Sequence, residues 1–162
     1  MPKMYLMSGP SGAGKSTLAY EISRERNVRF LSIENFYKAF FGTELIHEHR
    51  DEVWESFAEA IRIAAKDGVD VLIDTNSPSR ADREWFVERF PGFEIHLVVL
   101  NAPKELCLKN NKIRDRVIPD DEMEKIFARL EPVTEDELKN YAEVEVYENL
   151  DNTEIRFVKS LK

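Results

Sequence analysis

Residues 9–17 read GPSGAGKST, between an apolar run, KMYLM at 3–7, and a helical pattern, STLAYEISRER. A strand that runs through a glycine-rich turn into a helix constrains this chain more than any other stretch. Gly9, Gly12 and Gly14 let the backbone curl so that successive N–H groups point into one hollow. The N-terminus of the following helix adds its partial positive charge. Such a hollow suits phosphate. Lys15 is placed to reach the β- and γ-phosphates of a nucleoside triphosphate, and the Ser16 hydroxyl to hold Mg²⁺. Ala13 and Thr17 complete the binding loop, and ATP with Mg²⁺ is the expected ligand.

The rest of the chain alternates between the two periods of secondary structure. Strands are predicted at VRFLSI (28–33), VDVLID (69–74), FEIHLVVL (93–100), EVEVY (143–147) and EIRFV (154–158). Val53, Phe57, Ile61 and Ala64 recur at helical spacing from His49 to Lys66. Ser79 and Asp82 stand at capping-box spacing ahead of a helix that would bury Ala81, Trp85, Phe86 and Phe90 and stop at Pro91-Gly92. Further helices are predicted from about Pro103 to Asn111 and from about Pro119 to Leu130. This alternation implies an α/β fold, a P-loop NTPase-type three-layer sandwich with a central, mainly parallel sheet and a helical lid near 109–119. With 43% hydrophobic residues in 162, one core and a single domain over 1–162 are expected.

Composition narrows the function classes. A single cysteine rules out an internal disulfide, and Cys107 is expected as an inert buried thiol. No run approaches the roughly 18 apolar residues of a membrane span, and Met1–Met7 is too short for a signal peptide, so a cytoplasmic protein is expected. The net charge of −8 is uneven. Residues 131–154 carry nine acids against Lys139 alone, which reads as a solvated face. Lys104, Lys109, Lys112, Arg114 and Arg116 form a local basic patch that could meet phosphates. His47 and His49, in IHEH, have no further ligands nearby, so exposed histidines are expected rather than a metal pair.

Two more elements carry chemistry. Asp74 ends the strand VLIDTN, so its carboxylate should emerge beside the glycine-rich loop, where a magnesium ligand is needed. A cap for the next turn is the alternative. Thr75 and Asn76 follow and could contact an acceptor. The basic segment KNNKIRDRVIP (109–119) has the composition of a mobile loop that closes Arg114 over transferring phosphates. Lys15, Asp74 and Arg114 together point to a kinase, and nothing resembles the base-reading motif of GTPases.

GPSGAGKST, FYK (36–38), DTNSPSRADREWF (74–86) and NNKIRDRVIPDDEMEKI (110–126) run in the order and spacing of one known domain. Over roughly residues 3–130 the chain resembles the kinase domain of phage-type polynucleotide 5′-kinases. The resemblance implies ATP-dependent phosphorylation of a nucleic acid 5′-hydroxyl. It implies that Arg114 is the lid arginine, Asp74 the strand-end carboxylate and Lys38 the group on the acceptor side. One position departs. The family keeps a proton-accepting Asp in a pattern like Arg-Asp-Asp-Tyr-Arg, whereas IENFYK aligns Asn35 there, and an amide cannot serve as a general base. Glu34, one residue earlier, is the candidate substitute, and Asp74 the alternative. A nucleoside, nucleotide or other small-molecule kinase on the same scaffold therefore stays open, as does a non-catalytic nucleotide-binding regulator.

Overall fold

The computed structural model describes residues 1–43, 50–115 and 117–162. His47, His49 and Arg116 lie outside the described residues. Six strands form one sheet: β1 (Lys3–Ser8), β2 (Arg29–Ser32), β3 (Val71–Asp74), β4 (Glu94–Asn101), β5 (Glu143–Asn149) and β6 (Ile155–Ser160). Their order is β2-β3-β1-β4-β5-β6, parallel throughout except for the antiparallel edge pair β5–β6. The helices are α1 (Lys15–Arg26), α2 (Ile33–Phe41), α3 (Arg50–Lys66), α4 (Arg80–Arg89), α5 (Lys104–Ile113) and α6 (Asp120–Ala128), with a 3₁₀ turn at Glu135–Asn140.

Strand alternation explains the three layers. Along β1, Met4 and Leu6 point to one face, where Phe57, Ile61 and Ala64 of α3 and Phe86 of α4 cover them. Tyr5 and Met7 point to the other, against Leu18, Ala19 and Ile22 of α1, Cys107 of α5 and Met123 of α6. The central strands are buried on both faces, so they read as continuous apolar runs rather than alternating ones. The predicted inward residues of α1 and α3 are all buried. Burial pushes the Cys107 thiol up to about 11, as expected of an inert cysteine.

Several sequence expectations are corrected. Helix α2 was not predicted, although Ile33, Phe36, Tyr37, Phe40 and Phe41 recur at helical spacing opposite Glu34, Asn35 and Lys38; the Ser32 hydroxyl accepts from the Asn35 N–H at its start and Gly42, at φ 73°, closes its end. Helix α5 continues to Ile113, so half of the segment read as a basic loop is helical. In α4 the capping box forms as predicted, and Phe86 and Phe90 are buried, but Ala81 is exposed and Trp85 half-buried. Nor is the acidic segment simply solvated. Glu137 is fully buried against Arg83, and Glu145 takes a two-pronged bond from Arg26 of α1 at 2.8 and 2.9 Å.

Candidate active site

β1 stops at the middle of the sheet, flanked by β3 and β4, and the glycine-rich loop follows at its carboxyl end. In parallel sheets this is the crevice where ligands collect. Gly12 and Gly14 hold φ values of 84° and 93°, which side chains disfavour. Close packing is a second constraint on the glycines, one that the motif alone does not reveal. A Cβ on Gly12 would lie 2.4 Å from the Cys107 carbonyl oxygen, and one on Gly9 2.7 Å from that of Leu100. The loop is thus pressed against β4 and α5.

Three asparagines fix the loop from outside. Asn110 donates to the Gly12 carbonyl at 2.8 Å and Asn149 to that of Ala13 at 2.9 Å. Asn152 joins the two, exchanging bonds with Asn110 at 2.7 and 3.0 Å and accepting from Asn149 at 3.1 Å. Gly14 begins α1 without a side-chain cap, which leaves the first-turn N–H groups for a ligand.

Inside the cradle, Lys15 Nζ sits 2.7 Å from Asp74 Oδ1, and Ser16 Oγ donates to Asp74 Oδ2 at 3.0 Å. The structure therefore brings the lysine, the hydroxyl and the strand-end carboxylate together. A hydroxyl and a carboxylate are hard oxygen ligands suited to Mg²⁺, which usually takes only one or two from the protein. With an N–H-lined cradle beside them, the residues present fit Mg²⁺-nucleotide.

The strand-end loop 75–79 is bound on every side. Asn76 accepts from the Gly9 N–H at 3.0 Å through its carbonyl, and its side chain donates to Ser11 Oγ at 3.3 Å. The Ser77 carbonyl accepts from Ser8 Oγ at 2.8 Å, and the Ser77 hydroxyl shares a 2.6 Å bond with Thr75. The Pro78 carbonyl accepts from Arg83 Nη1 at 3.1 Å and from the Glu131 N–H at 2.9 Å. Arg83 is itself clamped to Glu137 by bonds of 2.7 and 2.9 Å, and Tyr141 donates to the same carboxylate at 2.9 Å. Burial raises the Glu137 carboxyl, but the bonds from Arg83 and Tyr141 outweigh it and hold the group below its usual range.

Next to this loop opens a cleft of about 630 Å³. Thr75, Asn76 and Ser77 form one side, Trp54 with Asp51 and Glu55 of α3 another, and Ala81, Asp82 and Trp85 of α4 a third. The two indoles meet edge to face at 5.4 Å. Thr75 and Asn76 were expected at an acceptor and lie here. Glu34, Asn35 and Lys38 are exposed on α2 outside the lining, to which that helix contributes Ile33. Arg114 is half-buried just beyond α5. Asn111 clasps the base of its loop, accepting from the Ile118 N–H at 2.9 Å and donating to its carbonyl at 2.6 Å. Sequence reasoning missed Trp54, Trp85, Asp51 and Glu55. For the tryptophans the helical period was the available signal, but it assigns them to core.

No curated protein matches the sequence. Among solved structures, the chain is similar to a sugar kinase from Janibacter sp. HTCC2649, with 23% identity, coverage of 91% of this chain and 86% of that one, and a TM-score of 0.66. It is similar to a gluconokinase from Sinorhizobium meliloti 1021, with 19% identity, 91% and 82% coverage and a TM-score of 0.61. A chain of the Pnkp1/Rnl/Hen1 RNA repair complex gives 22% identity, 80% and 44% coverage and a TM-score of 0.73. At these identities the likeness is one of fold. Among the described residues, no helix is long and apolar enough to cross a membrane. The model of the AAA domain family AAA_33 matches residues 4–134, so the chain belongs to that family and carries its P-loop kinase domain.

Proposed function

We propose that the chain transfers the γ-phosphoryl group of ATP to a hydroxyl of an acceptor seated in the cleft between α3 and α4. The observation that carries this reading is Asn76: its carbonyl and its amide both bond the glycine-rich loop, while the same residue lines the cleft. A molecule in the cleft would lie one residue's width from the phosphate cradle. Positioning of this kind supplies much of the catalysis in phosphoryl transfer, whose loose transition state asks little covalent chemistry of the protein.

The roles follow from the contacts. Lys15 would exchange Asp74 for the β- and γ-phosphates, and Ser16 with Asp74 would hold Mg²⁺, which would offset charge on the phosphates. Arg114 would bring a guanidinium to the charge that develops on the transferring group. Glu34 is the proposed proton acceptor, with Asp74 the alternative. Asn35 and Lys38, on the same helix as Glu34, would meet the acceptor from that side.

A nucleic acid 5′-hydroxyl is a second reading of the acceptor, favoured by the DTN element and the Asn111-to-Arg114 spacing rather than by the cleft. Transfer of labelled γ-phosphate to oligonucleotides, nucleosides and sugars, run side by side, tests the proposal. Transfer to at least one acceptor is expected, falling at least about 10²-fold in Lys15→Ala because a charge-assisted phosphate contact is lost. ATP binding with no transfer to any acceptor would make the chain a nucleotide-binding regulator.

A further inference from the structure

Resting on the reading of the cleft as the acceptor site, we propose that the acceptor is a small polyol bearing a protonated amine, an amino sugar or aminocyclitol. Its amine would lie against Asp51 and Glu55, and its ring against the two indoles.

The charged groups of the lining are already partly assigned to one another. Asp82 takes two bonds from Arg129, at 2.8 and 2.6 Å, so both charges are spent. The Arg89 guanidinium lies over the Trp85 ring, 4.5 Å from its centroid. Asp51 and Glu55 remain. They are four residues apart, on one face of α3 with Trp54 between them, and among the described residues neither has an ion-pair or hydrogen-bond partner. Three carboxylates against two guanidiniums leave the lining one negative charge in surplus.

The placement of those charges sharpens the choice. Asp51 lies in the first turn of α3 and Glu55 in the second, whereas Arg89 closes α4, about 10 Å along that helix from Asp82. Asp82 is in the first turn of α4, next to the loop that carries Asn76, so Arg89 sits at the end of the helix remote from that loop. Among the described lining residues, a polyanion entering the cleft would meet two unengaged carboxylates, with Arg129 paired to Asp82 and Arg89 stacked on Trp85. A protonated amine meets complementary charge. The remaining lining also suits a polyol: indoles offer apolar faces to ring C–H groups, and Thr75, Asn76 and Ser77 offer hydroxyls and an amide. The volume, about 630 Å³, is that of a small-molecule site.

The molecule supplies its own reporter, because the chain has two tryptophans and both line this cleft. Intrinsic fluorescence can be titrated with glucosamine, 2-deoxystreptamine, N-acetylglucosamine, gluconate and a 5′-hydroxyl oligonucleotide. The two amines are expected to saturate a spectral change at concentrations at least about tenfold below the other three, the combined effect of two partly exposed ion pairs. The double variant Asp51→Asn/Glu55→Gln alters exposed side chains and should keep the wild-type circular dichroism and melting temperature while losing that preference. Equal or tighter binding of gluconate, the N-acetyl sugar or the oligonucleotide would overturn the proposal, as would binding of no probe or a double variant that still prefers amines. Lys15→Ala separates this inference from the reading beneath it. Amine binding in both proteins without phosphate transfer in either would remove the kinase assignment and leave the ligand class standing.

Discussion

Replacing Arg83 by Met removes the cation from the most enclosed ion pair in the described structure. The side chains of Arg83 and Glu137 are 1% and 0% exposed, and the guanidinium makes two bonds to the carboxylate and one to the Pro78 carbonyl. Met fills much of the same volume but leaves Glu137 with the Tyr141 hydroxyl as its one remaining side-chain donor. Stranding a buried charge in this way costs about 3–5 kcal/mol. With a urea m-value of about 2 kcal/mol/M, the denaturation midpoint should fall by about 2 M. The pH dependence gives a signed check. In the wild type Glu137 is held below its ordinary value of 4.5, so its contribution is fully present above that pH and is lost as pH falls through the lowered value. In Arg83→Met, burial acts with less to oppose it and should raise the carboxyl, so the variant regains stability as pH falls from 7 toward 5 while the wild type stays flat. The gap between the two should narrow on acidification, and adding Glu137→Gln should recover most of the loss at pH 7. Urea melts at pH 7 and pH 5 decide it. A loss below about 1 kcal/mol, or a gap that widens toward pH 5, would refute the reasoning.

Arg114→Ala should lower kcat more than it raises KM for ATP, because the charge it meets develops only during transfer; steady-state kinetics showing unchanged kcat would remove it from the mechanism. Glu34→Gln should lose about 10²- to 10⁴-fold in transfer while nucleotide binding is kept, the scale of a lost general base, and Asn35→Asp should raise 5′-hydroxyl kinase activity if that acceptor fits. Full activity in Glu34→Gln, with no gain in Asn35→Asp, would leave Asp74 as the candidate base. Gly12→Ala should destabilise by at least about 1–3 kcal/mol in a thermal or urea melt, since the residue sits at φ 84° and its new Cβ would meet the Cys107 carbonyl oxygen at 2.4 Å.

The sheet was legible in the sequence because its central strands are buried on both faces and bounded by turns. The glycine-rich loop was legible because Gly12 and Gly14 hold dihedrals that side chains disfavour. What escaped depends on contacts between residues far apart in the chain. The period of α4 groups Trp85 with Phe86, yet Trp85 both packs against the core and lines the cleft. Glu137 reads as one acid among nine, and only the fold brings Arg83 to it across 54 positions. Helix α2 is the exception, since its signals are local: Ser32 before, Gly42 after, and Ile33, Phe36, Tyr37, Phe40 and Phe41 at helical spacing. The outward clasp on the cradle could not be read at all, since Asn149 lies 136 residues from Ala13.

That separation sets an order of events during synthesis. Asn149 is synthesised 136 residues after Ala13. At about 5–20 residues per second, the Ala13 carbonyl waits roughly 7–27 seconds for its side-chain donor. Until then the loop has only its earlier partners, among them Asn76, Leu100, Cys107 and Asn110. This last tie on the loop would thus close after every described residue that lines the neighbouring cleft has been made.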